Sequence, residues 1–324
     1  MRLLPPVLTS ILVIVAVSAC KETNEDVSSP IVSTAPPASP KESADTVEDF
    51  PKLTPFSAEL QATLHEIRAK VAAIRGLPIH PTAQEGLVSR EALAAYGRDQ
   101  FSSLEEEDEA DIEASEAMLK LMGLIPPDYT FETFVEEKSN VTAGVYYFEA
   151  DRLVLVGENP DELSISEELT IAHEYTHSLQ DAKYDLDAFF DKWIESDQEE
   201  EGYTSYSETL RCLIEGDAEL TQRLYAEDVY GEGWKELEAE EGADDEPIEF
   251  DIPDFLLRSF AFYYSDCVSF VEALYEEGGW EAVNAAYEDP PGTTEQIIDV
   301  EKYKAGEWAD EPKPESREGE LPGW

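Results

Sequence analysis

The sequence predicts an α+β fold, mostly helical, with a small antiparallel β unit before the helix that carries its most informative motif. Apolar residues recur at helical spacing between residues 60 and 122 and again after 164. Between those stretches, Val141 to Phe148 and Arg152 to Val156 are rich in β-branched and aromatic residues. No internal repeat is found, and the order of helices, strands, then helices is that of segregated α and β elements.

Taken in order, Leu60, Leu64, Ile67, Val71 and Ile74 define the first helix, ended by Gly76 and Pro78. A second helix is predicted from Ser89 to Phe101. A third runs from Asp108 to Met122 and is stopped by Gly123 and Pro126-Pro127. The two β runs flank Glu149-Ala150-Asp151 and predict a hairpin. A helix follows from about Ser164 to Asp181, with Ser164 and Glu167 spaced as a capping box. A long helix is predicted over Tyr203 to Tyr230, and the acidic, Gly-containing stretch 231–247 reads as a surface loop. Further helices fit 253–262, 265–277 and 279–288, the last two separated by Gly278-Gly279. The folded domain is therefore set at 56–305, and the charged, Pro-rich tail 306–324 reads as disordered.

At the other end, Arg2 precedes an apolar run from Val7 to Val17, then Ser18, Ala19 and Cys20. This is the layout of a secretory signal, 1–19, too short for a permanent membrane helix. The tetrad Val17-Ser18-Ala19-Cys20 resembles a bacterial lipobox, in which Cys20 is lipidated and becomes the first mature residue. Ordinary cleavage after Ala19 stays open, and both routes export the chain. Residues 20–55 are rich in Pro, Ser, Thr, Ala and Glu and read as a tether. The expectation is an envelope protein held at the membrane through Cys20. In such a compartment Cys212 and Cys267 form either a disulfide or two buried thiols, and spacing does not choose.

Charge excludes one class of partner. With 74 acidic against 22 basic side chains, the net charge is −52. A nucleic-acid partner held through its phosphates needs a basic surface and is not expected. The acidic coat favours solubility and suits either a saline medium or basic substrates.

The motif that carries chemistry is His173-Glu174-Tyr175-Thr176-His177, inside a predicted helix. Residues four apart differ by about 40° around a helix, so both imidazoles reach one ion. Neutral imidazole suits zinc, and Glu174 lies beside the pair, placed to take a proton from water at the metal. Leu169, Ala172, Tyr175, Thr176 and Leu179 form the core-facing stripe, with the histidines at its border. The chain has 4 histidines; His65 and His80 show no such arrangement and read as ordinary surface residues. A catalytic zinc needs a third protein ligand and an open position. Gln180 and Lys183 stand where a metzincin pattern needs Gly and His, and no histidine lies downstream. A carboxylate is then required, and Asp181 is a full turn too far along. Glu215, in Leu213-Ile214-Glu215-Gly216-Asp217-Ala218 on the long helix, is the candidate, and Gly216 would allow that helix to approach closely. Glu215 points away from the centre of its own apolar stripe, so a solvated acidic face is the competing reading. Asp217 falls within that stripe and needs a buried partner. Glu219, one turn beyond Glu215, could orient a ligand histidine from behind.

These residues resemble bacterial zinc metallopeptidases of the gluzincin kind, many of them lipoproteins. The likeness rests on Ala143-Gly144-Val145-Tyr146, on His173 to Asp181, and on Glu215-Gly216-Asp217-Ala218. It continues through Gly278-Gly279-Trp280 and Pro291-Gly292-Thr293-Thr294-Glu295-Gln296-Ile297, in the family's order across 56–305. It implies a thermolysin-like core, one Zn2+ held by His173, His177 and Glu215, and an edge strand near Val141 to Tyr147 that pairs with substrate backbone. Tyr264-Ser265-Asp266-Cys267 is similar to a Tyr-x-x-Gly signature that supplies an oxyanion-stabilising tyrosine, which would be Tyr264; Cys267 departs from the Gly. Thr293 with Gln296 also satisfies a helix capping box, and Asp299-Val300 replaces the family's His-Pro. The expectation is an exported peptidase acting on peptide or protein substrates with Glu174 as general base, endopeptidase action slightly favoured for want of an amine-anchoring motif. The alternative is a zinc-carrying surface lipoprotein without catalysis.

Overall fold

The computed structural model describes residues 50–82, 84–104, 106–197, 205–242 and 251–308. The expected signal segment, Cys20, most of the tether and the tail from 309 lie outside them. The fold is α+β and mostly helical. Among the described residues no helix is long and apolar enough to cross a membrane.

Order begins before Phe56. Thr54 bridges Leu87, and the Phe50 ring packs edge-on against Tyr96 and Tyr147. Helix α1 spans Ala58–Arg75, with the Ser57 hydroxyl accepting from the Leu60 amide and Gly76 at φ 73° ending it. Strand β1 (Gln84–Val88), α2 (Arg90–Ser102), α3 (Glu106–Leu121) and α4 (Phe131–Val141) follow. Then come β2 (Gly144–Tyr147) and β3 (Arg152–Val156), the predicted hairpin, paired antiparallel. The sheet is nevertheless mixed and three-stranded, because β1 pairs parallel with β3 in the order β1-β3-β2. Neither β1 nor α4 was expected. In β1 Gln-Glu-Gly-Leu-Val gives only a short apolar end, and its pairing partner lies more than sixty residues away, at Arg152 to Val156. A Cβ on Gly86 would lie 2.6 Å from the Thr54 carbonyl, so that glycine lets the N-terminal segment cover the β1 edge.

After β3, α5 (Ile165–Tyr184) starts with the predicted capping box, Ser164 and Glu167 bonding reciprocally. It leads to α6 (Leu186–Asp197), then α7 (Tyr206–Tyr230), α8 (Trp234–Glu241), α9 (Asp254–Tyr263), α10 (Asp266–Glu288), α11 (Thr294–Ile298) and α12 (Val300–Ala305). Part of the stretch expected as a loop, 231–247, is helical as α8, because Trp234 is buried against the first core; residues 243–250 lie outside the described ones. Gly278 and Gly279 break α10 into the two helices expected, Gly279 at φ 61°.

Helix α5 is central. One core unites α1, the sheet and α5 through Leu64, Val71, Leu155, Ala172 and Tyr175. A second unites α6, α7 and α10 through Leu186, Leu210, Leu213, Phe270 and Val271. Helix α7 packs on α5 along one side and on α10 along another. A Cβ at Gly216 would fall 2.4 Å from the Cys267 carbonyl, so the close approach it permits is to α10. Cys212 and Cys267 are disulfide-bonded across that contact.

Candidate metal centre

The histidine motif lies where both cores meet, and Leu169 through Asp181 are all buried. A helix covered on every side can carry polar residues only if each finds a partner. Facing it, α7 brings Glu215 into the same space, itself only 4% exposed. The solvated-face reading of Glu215 is therefore set aside.

His173 Nε2 lies 3.3 Å and His177 Nε2 3.6 Å from Glu215 Oε2. One ligand atom from each residue falls within 4.8 Å of the others. Ligands at about 2.0–2.1 Å from one tetrahedral ion are separated by about 3.3 Å, so the two measured spacings suit a shared cation. The outer nitrogens face away from that point. His177 Nδ1 is 2.8 Å from Gln180 Oε1, and the Gln180 amide donates to the Ile214 carbonyl at 3.0 Å. His173 Nδ1 is 3.7 Å from Glu219 Oε2, the residue expected to orient a histidine from behind. With the protons on both Nδ1 atoms, both Nε2 lone pairs point at the common centre.

Electrostatics support the same point. Burial lowers the His177 pKa, but Glu215 and Glu174 outweigh it and raise it to about 9. Burial pushes the Glu215 carboxyl up, and His177 with His173 more than offsets this, holding it well below the usual carboxylate range. Without a cation the cluster must take up protons, and a divalent ion would replace them.

Glu174 is fully buried, and neither carboxylate oxygen makes a hydrogen bond. Burial raises its pKa, opposed by the neighbouring His173 and His177. Such a carboxylate is costly to leave unpaired, and together with the orphaned His177 Nε2 it marks space fitted for a cation and its water. The edge strand β2 lies alongside: a Cβ at Gly144 would meet the Thr170 methyl at 2.6 Å and the Glu174 Cγ at 3.1 Å. Only glycine there lets the strand come so near. Tyr264, half-buried at the end of α9, holds its ring centroid 6.3 Å from that of His173. All of the expected residues within the described chain thus meet at one place.

Asp181 does not join them; it accepts from the Tyr146 hydroxyl at 3.1 Å and the Leu186 amide at 3.0 Å. His80 is not a surface residue. It is 4% exposed, with Nε2 3.3 Å from Asp151 and its backbone bonded to the Tyr175 hydroxyl. The sequence carried no sign of this, since its partners come from other elements. Gln180 was also missed as a positioning residue, although its place three residues after His177 put it on the same helix face. Thr293 caps α11 by accepting from the Gln296 amide, the capping box's first half. The chain matches no protein-family model, no curated protein and no solved structure.

Proposed function

We propose that the chain is an exported zinc-dependent peptidase of the gluzincin type, held at the membrane through a lipid on Cys20. The observation that carries this reading is a buried carboxylate, Glu174, left without hydrogen bonds beside three converging metal-ligating side chains. A purely structural ion would have no use for it.

His173, His177 and Glu215 hold the ion, and two imidazoles with one carboxylate suit zinc with a coordination position left open. Zinc there supplies Lewis acidity, making water a nucleophile at neutral pH and polarising the scissile carbonyl. Glu174 takes the proton of the attacking water and passes it to the leaving amine, a role favoured by the burial that raises its pKa. Tyr264 donates to the oxygen on which charge develops. The edge strand β2 offers its outer backbone groups to an extended substrate, which is how a peptide is held with little regard to side chains.

The test compares the native chain with Glu174→Gln, measuring zinc stoichiometry together with cleavage of a mixed peptide library. Both proteins are expected to hold one zinc, with turnover in the variant lower by about 10²- to 10⁴-fold. Unchanged turnover would reject Glu174 as the base. Zinc with four protein ligands and no cleavage would favour a non-catalytic zinc carrier.

A further inference from the structure

Basic side chains number 22 in this chain against 74 acidic ones, so a buried basic group with no acid beside it is out of place. Arg152, the first residue of β3, is such a group. It is 8% exposed, its Nε donates to Gln84 Oε1 at 3.0 Å, and its Nη1 has no hydrogen-bond partner. The guanidinium lies over the Phe50 ring, 4.3 Å from its centroid. Nearby acids are committed elsewhere: Asp151 lies against His80 and the Tyr146 hydroxyl, and Glu85 pairs with Arg68. Burial pulls the Arg152 guanidinium below its ordinary value, and only the Tyr96 and Tyr147 phenols act against this. Arg75, also buried, is by contrast held twice by Asp217.

Arg152 borders an open pocket of about 450 Å³. That volume exceeds what a lone ion fills and is of the size that takes a small molecule. The wall divides by chemistry. Phe50, Pro51 and Leu53 form an apolar part, and Lys52 adds a second cation, exposed and without an ion-pair partner among the described residues. Glu85 also lines the pocket, its charge matched by Arg68. Arg152 pairs with Tyr147, the last residue of β2, which is three residues or about 10 Å along that strand from Gly144 beside Glu174. The pocket includes Gln84 and Glu85 of β1, on the opposite side of β3 from β2, and is therefore separate from the metal centre.

We propose that this pocket binds a small organic acid, its carboxylate on Arg152 and Lys52 and its apolar body against Phe50, Pro51 and Leu53. The unused end of the guanidinium fork matches a planar carboxylate, and Lys52 adds a point charge. A doubly charged phosphate would bring its extra charge against Glu85 in the same wall. The site stands apart from the peptidase reading, and its occupancy needs no metal.

The test is isothermal calorimetry on the full chain, with and without zinc, using 3-phenylpropanoate, its uncharged twin 3-phenylpropanamide, acetate and inorganic phosphate. In both metal states 3-phenylpropanoate is expected to bind at one site, about tenfold or more tightly than the other three probes. Arg152→Met should erase the preference for acid over amide, and Arg152→Lys should keep part of it. Lys52→Met, which alters an exposed side chain, should weaken the acid by about two- to fivefold and leave the amide unchanged. Melting curves show whether Arg152→Met folds; if it does not, Arg152→Lys and Lys52→Met decide. Equal affinity for acid and amide overturns the proposal, as does an acid preference untouched by these substitutions. Binding seen only with zinc places the acid on the metal and overturns it too. Acetate or phosphate binding as tightly as 3-phenylpropanoate would refute the organic-acid assignment.

Discussion

Glu215 and Asp217 stand two residues apart on α7, both buried, 4% and 0% exposed, and both face basic side chains. Asp217 lies in a closed network. It accepts from Arg75 Nε at 2.6 Å and Nη2 at 2.8 Å and from the Tyr287 hydroxyl at 2.8 Å. Arg75 also donates to Asn284 and lies over the Trp280 ring at 4.3 Å. Only Arg75 Nη1 in that group lacks a partner. Around Glu215 the picture is reversed: His177 Nε2 and His173 Nδ1 have carboxylates only at 3.6 and 3.7 Å, beyond hydrogen-bond distance, and both Glu174 oxygens lack a side-chain partner. A buried acid on a helix thus says little about function. What separates a strut from a site is how much bonding capacity the neighbours leave unused.

The comparison breaks most readily through its two carboxylates. Asp217→Ala leaves the Arg75 guanidinium buried without its anion and is expected to cost about 3–5 kcal/mol in denaturant unfolding of the metal-free chain. Zinc should still stabilise whatever fraction of that variant folds. Glu215→Gln should show the opposite pattern, a smaller loss without metal and no gain with it. The native chain at a hundredfold excess over its zinc dissociation constant should gain about 2.7 kcal/mol. If zinc rescued Glu215→Gln as well as it stabilises the native chain, the assignment of the third ligand would fall.

The disulfide sharpens the same contrast, because it fastens α7 to the start of α10 just beyond Tyr264. It closes a separation of 55 residues, worth about 4 kcal/mol by chain entropy. Cys212→Ser with Cys267→Ser should lower the unfolding midpoint accordingly. Spectroscopically followed zinc binding should change little, since none of His173, His177 and Glu215 is bonded to the cysteines. A large fall in zinc affinity would show that the bond holds the ligand geometry and not only the framework.

Much of this was legible beforehand, for reasons that differ from residue to residue. The histidine pair is a local pattern on one helix, so its spacing alone fixes the bite, and the predicted cap at Ser164 fixes where that helix starts. Asp217 announced its need for a partner by standing in an apolar stripe, and Arg75 supplies it. Glu215 was reached by requiring a carboxylate as third ligand, against its own wheel, which pointed it outwards; α7 is covered on two sides, and a wheel sees only one. His80 and β1 were lost to long-range pairing, His80 with Asp151 and β1 with β3. Helix α8 was lost to composition, since an eight-residue stretch with four glutamates and one buried Trp234 looks like a loop until a core is available.

Gln180 offers the finest test of the difference between strut and site. Its side chain links two elements at once, accepting at 2.8 Å from His177 Nδ1 and donating at 3.0 Å to the Ile214 carbonyl beside Glu215. As a plain packing residue it could be replaced by Leu, of nearly equal volume, at a cost of two lost hydrogen bonds, roughly 1–3 kcal/mol. As the group that fixes the imidazole tautomer, the same change should weaken zinc binding by about 10- to 100-fold with the fold intact. Competition against a chelator, with melting measured alongside, separates the two. Gln180→Glu gives the converse, because a carboxylate accepts the same proton more strongly and should keep zinc in place. If Gln180→Leu binds zinc as the native chain does, then His177 is oriented by packing alone, and the site is less distinct from the Asp217 network than its unused bonds suggest.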